Sequence, residues 1–209
     1  MPQTLHVVEH PVLADRLSLL RDRETPHGVF RQALFEAAAI MAVEVARDLP
    51  VREVEIETPL ETTHGVRLRE EVAVVPVLRA GLGMVEGFLR LLPDARVGHL
   101  GIYRDEEDHV PVHYYERLPP GLPEARVYVL DPMLATGGSA VEALGQLKRA
   151  GARQLELVCL VSAPVGLAAV DAEHPEVPIW TAAVDRELDE NAYIRPGLGD
   201  AGDRVFGTT

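Results

Sequence analysis

The sequence predicts an α/β protein, a mostly parallel sheet flanked by helices, with an N-terminal helical segment and a glycine-rich C-terminal loop region. Three observations predict it. From residue 72 onward, short continuous apolar runs recur, and several are followed by a glycine turn and a helical stretch. Between His27 and Leu49 the apolar residues Phe30, Leu34, Ala38, Met41 and Val45 instead recur at helical spacing, and Pro50 stops them. The 209 residues are 47% hydrophobic and 25% charged, an ordinary globular balance that suits one domain over 1–209.

Taken in order, Val51 to Thr58 alternates around Val54 and Ile56, as a half-buried strand does. Val72 to Leu78 reads as a buried strand, and Arg79-Ala80-Gly81 turns it into a helix through Leu91. Val97 to Tyr103, Val127 to Leu130, Leu155 to Val161 and Ile179 to Val184 are the further strands. A helix runs to Ala150, with Gly151 as its stop. Buried strands alternating with helices imply parallel βαβ units, whose ligands bind at the carboxyl ends of the strands.

Composition excludes several classes. The net charge of −13, with Lys148 the sole lysine, argues against nonspecific nucleic-acid binding. No run approaches the ~18 apolar residues of a membrane span, and the N-terminus has no secretory pattern, so a cytoplasmic protein is expected. Cys159, alone in the apolar run 157–161, reads as a buried thiol. The histidines lack paired metal spacing, and Ser139 lacks the elbow of hydrolases.

Segment 127–140 is the most informative. Four apolar residues end on Asp131, and Pro132-Met133-Leu134-Ala135 leads to Thr136-Gly137-Gly138-Ser139 at a helix start, where Ser139 and Glu142 have capping-box spacing. Glycines let a backbone approach an anion, the helix dipole favours negative charge, and a carboxylate can accept from a sugar diol. A strand-to-helix turn with no ligand would use the same residues. Arg79, at another strand end, is either solvated or a phosphate anchor. The acidic stretch after Arg104, within 105–118, is a solvated loop or a closing lid.

Asp131-Pro-Met-Leu-Ala-Thr-Gly-Gly-Ser139 resembles the phosphoribosyl pyrophosphate (PRPP) signature of type I phosphoribosyltransferases, in the form carried by the uracil phosphoribosyltransferase family, with Pro132 where the usual signature has a second acid. Val75 to Met84, Gly101 to Arg104 and Tyr193 to Asp203 are similar to that family too, and the likeness spans nearly the whole chain. The resemblance implies a type I phosphoribosyltransferase fold and pyrimidine salvage: transfer of phosphoribosyl from PRPP to uracil, giving UMP and pyrophosphate. It implies PRPP contacts from Arg79, Arg104, residues 131–139 and Asp200, with Asp131, Arg104 and Asp200 catalytic. Uracil falls to Ile194, Gly199, Asp200 and Ala201 within 191–203, read by backbone groups. Mg²⁺ is expected mainly through PRPP, GTP as an effector, and a homodimer or larger homo-oligomer. The alternatives are a phosphoribosyltransferase for another base, an RNA-binding pyrimidine regulator on the same fold, and a noncatalytic nucleotide-binding scaffold.

Overall fold

The computed structural model describes residues 4–104 and 111–208. The chain opens with β1 (Leu5–Val7), then α1 (Pro11–Arg21) and α2 (His27–Val45), followed by a hairpin of β2 (Val51–Glu57) and β3 (Thr62–Leu68). Next come β4 (Val72–Leu78), α3 (Leu82–Leu91), β5 (Arg96–Val97), β6 (His99–Arg104) and β7 (Pro111–Arg117). Then follow β8 (Arg126–Leu130), β9 (Met133–Leu134) and α4 (Gly138–Arg149), and after them β10 (Gln154–Val158), β11 (Val161–Ser162) and α5 (Pro164–Glu173). The chain closes with β12 (Ile179–Thr181), β13 (Ala183–Val184), β14 (Glu187–Leu188), β15 (Ile194–Arg195) and α6 (Ala201–Phe206).

The main sheet has the order β1-β12-β10-β8-β4-β6-β7, with β5 also on β4. Every pairing in it is parallel except β6 with β7. Continuous apolar runs make sense here because both faces are covered. Val72, Val74, Tyr128, Leu130 and Val158 face a core packed by α1, α2, α3 and α6. Ala73, Val75, Val127, Val129 and Leu157 face the opposite core under α4 and α5. The period of two assigns successive residues to alternate cores.

Several elements differ from the sequence expectation. α2 stops at Val45, short of Pro50, in turns whose Arg47 and Leu49 N–H groups donate to Glu44 and Ala46 carbonyls. The 97–103 run is divided into β5 and β6, which keep one register along β4 and are linked by the Gly98 N–H bond to the Val74 carbonyl. The runs 155–161 and 179–184 also split, and β9, β11 and β13 form a separate parallel sheet above the carboxyl edge. In the 105–118 segment, residues 105–110 lie outside the described residues, and 111–117 is the antiparallel strand β7. The capping box does not form: Gly137 is the N-cap of α4, without a side-chain bond, and Glu142 instead accepts from Gln146 and Arg149. Gly137 sits at φ +89°, which lets the chain enter the helix with no side-chain cap.

Candidate active site

β4, β8 and β10 end along one edge, and the site is built there. Beyond β8, the Asp131 N–H donates to the Val158 carbonyl, and the Pro132 carbonyl accepts from the N–H groups of Leu160 and Val161, both at 3.1 Å. The Leu134 carbonyl accepts from Ala163 N–H at 2.8 Å. Pro132 and Leu134 are therefore buried anchors that fix the loop to the neighbouring strand. A Cβ added at Gly137 would stand 2.8 Å from Ala169 Cβ, so the loop lies flush against α5.

The loop encloses a notch of about 50 Å³ lined by Asp131 and the residues from Met133 to Ala140. First-turn amides of an α-helix have no acceptor within the helix, and its positive dipole end favours an anion. The notch opens onto a cleft of about 700 Å³, and both share Asp131, Met133 and Ser139. Arg79, Tyr114, Asp200 and Gly202 are among the cleft's other lining residues. Burial pushes the Asp131 carboxyl up to about 6, partly offset by a 3.3 Å bond from the Met133 N–H. The same burial, helped by the Asp131 charge, raises the neighbouring Cys159 thiol well above its ordinary value, so it stays protonated.

Arg79 follows a cis Leu78–Arg79 peptide, and its Nη2 donates to Asp203 Oδ1 at 3.0 Å. The Asp203 carboxyl is held low by the Thr208 hydroxyl first and by Arg79 second. Arg104 is the last residue of β6, and its side chain lies outside what the structure describes. Asp200 caps α6 by accepting from the Asp203 N–H at 2.8 Å. Ile194 and Ala201 turn their side chains into the core, while Gly199 is exposed at φ +73°. Asp200 alone of the expected uracil set lines the cleft, and Ile194 and Ala201 have only backbone groups to offer a ligand. Among the described residues, no three His, Cys, Asp or Glu side chains gather as a metal cage, and no helix is long and apolar enough to cross a membrane. A separate cavity of about 480 Å³ at the opposite sheet edge balances Arg52, Arg67 and Arg96 against Glu70, Glu71 and Asp94 and gathers none of the expected residues.

The sequence reading missed the groups that hold the C-terminal loop. Arg21 meets Asp185 bidentately at 2.7 and 2.8 Å, and Asp185 also accepts from the Gly197 N–H at 2.9 Å. Arg204 donates to the carbonyls of Leu20, Asp22 and Leu198 and lies over the Phe30 ring. Asp185 had a usable signal, since it follows an apolar strand as Asp131 does.

A family model described as uracil phosphoribosyltransferase matches residues 7–208. The chain belongs to the uracil phosphoribosyltransferase family. A relative so named from Salinibacter ruber is 57% identical over 206 residues, covering 99% of this chain and 98% of the relative. Another from Streptococcus agalactiae is 52% identical over 203 residues, covering 97% of each. The solved AQ2163 protein of Aquifex aeolicus is 35% identical, with a TM-score of 0.93 over 98% of this chain and 99% of that one. A purine phosphoribosyltransferase of Pyrococcus horikoshii, 16% identical with a TM-score of 0.51 over 74% of this chain and 84% of that one, shares the type I fold. The notch is lined by Asp131 and by residues 133–139, among those the resemblance assigns to PRPP.

Proposed function

We propose that the cleft joins uracil to the phosphoribosyl group of PRPP, forming UMP and releasing pyrophosphate, with a separate segment reading each part. The supporting observation is the convergence of an uncapped helix start, a desolvated carboxylate and an arginine on one carboxyl edge. Residues 135–139 hold the 5′-phosphate, using helix amides and hydroxyls. Asp131 accepts from the ribose hydroxyls. Arg79, with Arg104, faces the pyrophosphate, where a planar guanidinium matches two oxygens at once. Backbone groups around Ile194 and Gly199 to Ala201 meet the acceptor-donor-acceptor edge of uracil.

In the reaction the bond from the anomeric carbon to pyrophosphate oxygen breaks, the bond to the uracil ring nitrogen forms, and that nitrogen loses its proton. The arginines stabilise charge arriving on the leaving group, and the loops hold the reacting atoms in line. The donor set fits magnesium carried mainly by the substrate's phosphates, with Asp131 and Asp200 as the cleft's carboxylates, and the ion would add charge neutralisation at the pyrophosphate.

Self-association fits the same reading. The β2–β3 hairpin pairs only with itself among the described residues, and one face exposes Val51, Val66 and Leu68. A lone hairpin is marginal in water, so a second copy would cover this face. Light scattering should give at least a dimer, and Val66→Asp should weaken it.

UMP formation from uracil and PRPP with Mg²⁺, with and without GTP, tests the whole assignment. Cytosine mismatches two hydrogen bonds, at roughly 1–3 kcal/mol each, so its catalytic efficiency should fall about a thousandfold. Comparable cytosine turnover, or RNA binding without UMP formation, would sink the reading.

A further inference from the structure

Arg204 spends its guanidinium on carbonyls. Its Nη1 donates to the carbonyls of Leu20 and Leu198, and its Nη2 donates to that of Asp22. Leu20 and Asp22 sit at the C-terminal end of α1, where helix carbonyls lack partners within the helix and the dipole favours a cation. The guanidinium also lies 4.3 Å above the Phe30 ring of α2. α1 and α2 therefore fix Arg204, and the fixed group reaches one carbonyl of the C-terminal loop.

The two carbonyls ahead of Gly199 are each taken by an arginine, Gly197 by Arg21 at 2.8 Å and Leu198 by Arg204 at 2.9 Å. The 198–199 peptide is trans, since the cis bonds among the described residues are those before Arg79 and Pro196. In a planar trans peptide the C=O and N–H point in opposite directions. With the Leu198 carbonyl turned onto Arg204, the Gly199 N–H is turned away from α1, and it has no acceptor among the described residues. The loop is two-sided here: Leu198 is buried, Gly199 is exposed, and Asp200 follows into the lining of the cleft. Gly199 at φ +73° makes that change of side without the strain a side chain would add.

We propose that Arg204 is a positioning residue for the base: by gripping the Leu198 carbonyl it presents the Gly199 N–H to the cleft as a donor to one carbonyl oxygen of uracil. The inference rests on the uracil reading of the C-terminal loop. Arg204 carries it rather than Arg21, because Arg21 holds the preceding peptide, 197–198, and Asp185 as well.

The test compares Arg204→Gln and Arg204→Lys with the wild type. KM for uracil and for PRPP is measured for each, with the inhibition constants of 2-thiouracil and 4-thiouracil against uracil. Each thiouracil replaces one ring oxygen by sulfur, a weaker acceptor, so only one of them alters the atom that meets Gly199. Arg204→Gln should raise KM for uracil about fivefold, the size of one neutral hydrogen bond, and leave KM for PRPP within twofold. It should also shrink the preference for uracil over one thiouracil by about fivefold and leave the other preference unchanged. Arg204→Lys keeps the charge but lacks the planar fork, so it should show the same pattern in smaller measure, and it carries the test if Arg204→Gln does not fold. Equal rises in the uracil and PRPP constants, or both thiouracil preferences unchanged, would overturn the role of Arg204 and leave the uracil reading intact. Wild-type constants in Arg204→Lys would do the same, as would a lower melting temperature in Arg204→Gln with constants unchanged. Failure of the wild type to turn over uracil would overturn that reading and the role of Arg204 with it.

Discussion

The 131–139 loop and the C-terminal loop border one cleft but are held in opposite ways. Residues 131–139 hang on backbone hydrogen bonds to the adjacent strand and helix, made by Val158, Leu160, Val161 and Ala163. The loop at 194–201 hangs on side chains: Asp185 grips the Gly197 N–H, Arg21 grips Asp185 and the Gly197 carbonyl, and Arg204 grips Leu198. A backbone-held loop is as rigid as the sheet beneath it. A loop held by charged side chains depends on pairs that were desolvated together, and losing one partner leaves the other uncompensated. The two halves of the site should therefore fail differently.

The largest expected effect is at the sheet-held half. Asp131→Ala should lower turnover more than a thousandfold, an order typical of a group that positions and stabilises the reacting centre. The fold should persist, because the backbone bonds of the loop do not use the carboxylate except for the 3.3 Å contact to Met133 N–H. Circular dichroism and melting would check this. A folded variant with full activity would defeat the assignment, and an unfolded one would make Asp131 a structural cap.

The side-chain-held half should break more gently and on the other substrate. Asp185→Asn keeps an acceptor for the Gly197 N–H but loses the charge that holds Arg21 bidentately. KM for uracil should rise about tenfold, as expected from loss of a charged hydrogen bond, while KM for PRPP stays within twofold. Equal changes in both constants would erase the contrast between the loops.

That contrast also explains what the sequence could reveal. Asp131 to Ser139 was legible because strand end, acid, glycines and helix start lie within nine residues. The buried strands β4 and β8 were legible for a similar reason, since two covered faces demand uninterrupted apolar runs. The Arg21–Asp185 clamp joins residues 164 positions apart, and no local pattern marks which arginine meets which carboxylate. β3 escaped because its seven residues include Thr62, Thr63, His64 and Gly65 and only two isolated apolar residues, Val66 and Leu68. The uncapped start of α4 escaped because capping-box spacing at Ser139 and Glu142 does not reveal that a left-handed Gly137 has already turned the chain.

Acid should sharpen the difference between the halves. The Asp131 pKa is raised to about 6 by burial, so its charged form is disfavoured in the folded protein. A raised carboxyl stabilises the fold below its unfolded value, and that contribution is lost as pH climbs through about 4 to 6. Asp131→Asn should thus melt above the wild type at pH 8, by at most about 3 kcal/mol, and match it below about pH 4. Ligand affinity runs the other way. Sugar hydroxyls need the ionised carboxylate, so PRPP affinity should fall towards tenfold per unit below about pH 6, with no such slope in Asp131→Asn.

The smallest effect concerns the contact between the two halves. Arg79 is tied to Asp203 at 3.0 Å, so an arriving pyrophosphate competes with a carboxylate for the guanidinium. Both partners are partly exposed, and such pairs contribute roughly 0–1 kcal/mol. Asp203→Asn should therefore lower KM for PRPP by no more than about fivefold, the equivalent of 1 kcal/mol. The Thr208 hydroxyl and Arg79 hold the Asp203 carboxyl below its ordinary range, so it is charged throughout neutral pH. The gain from Asp203→Asn should therefore be constant from about pH 6 to 9, unlike the acid slope of Asp131. The Asp203 N–H still caps to Asp200 in this variant, so helix α6 is kept. A rise in KM instead would mean that Asp203 orients Arg79 towards the substrate, so that the C-terminal segment supports the pyrophosphate end rather than competing with it.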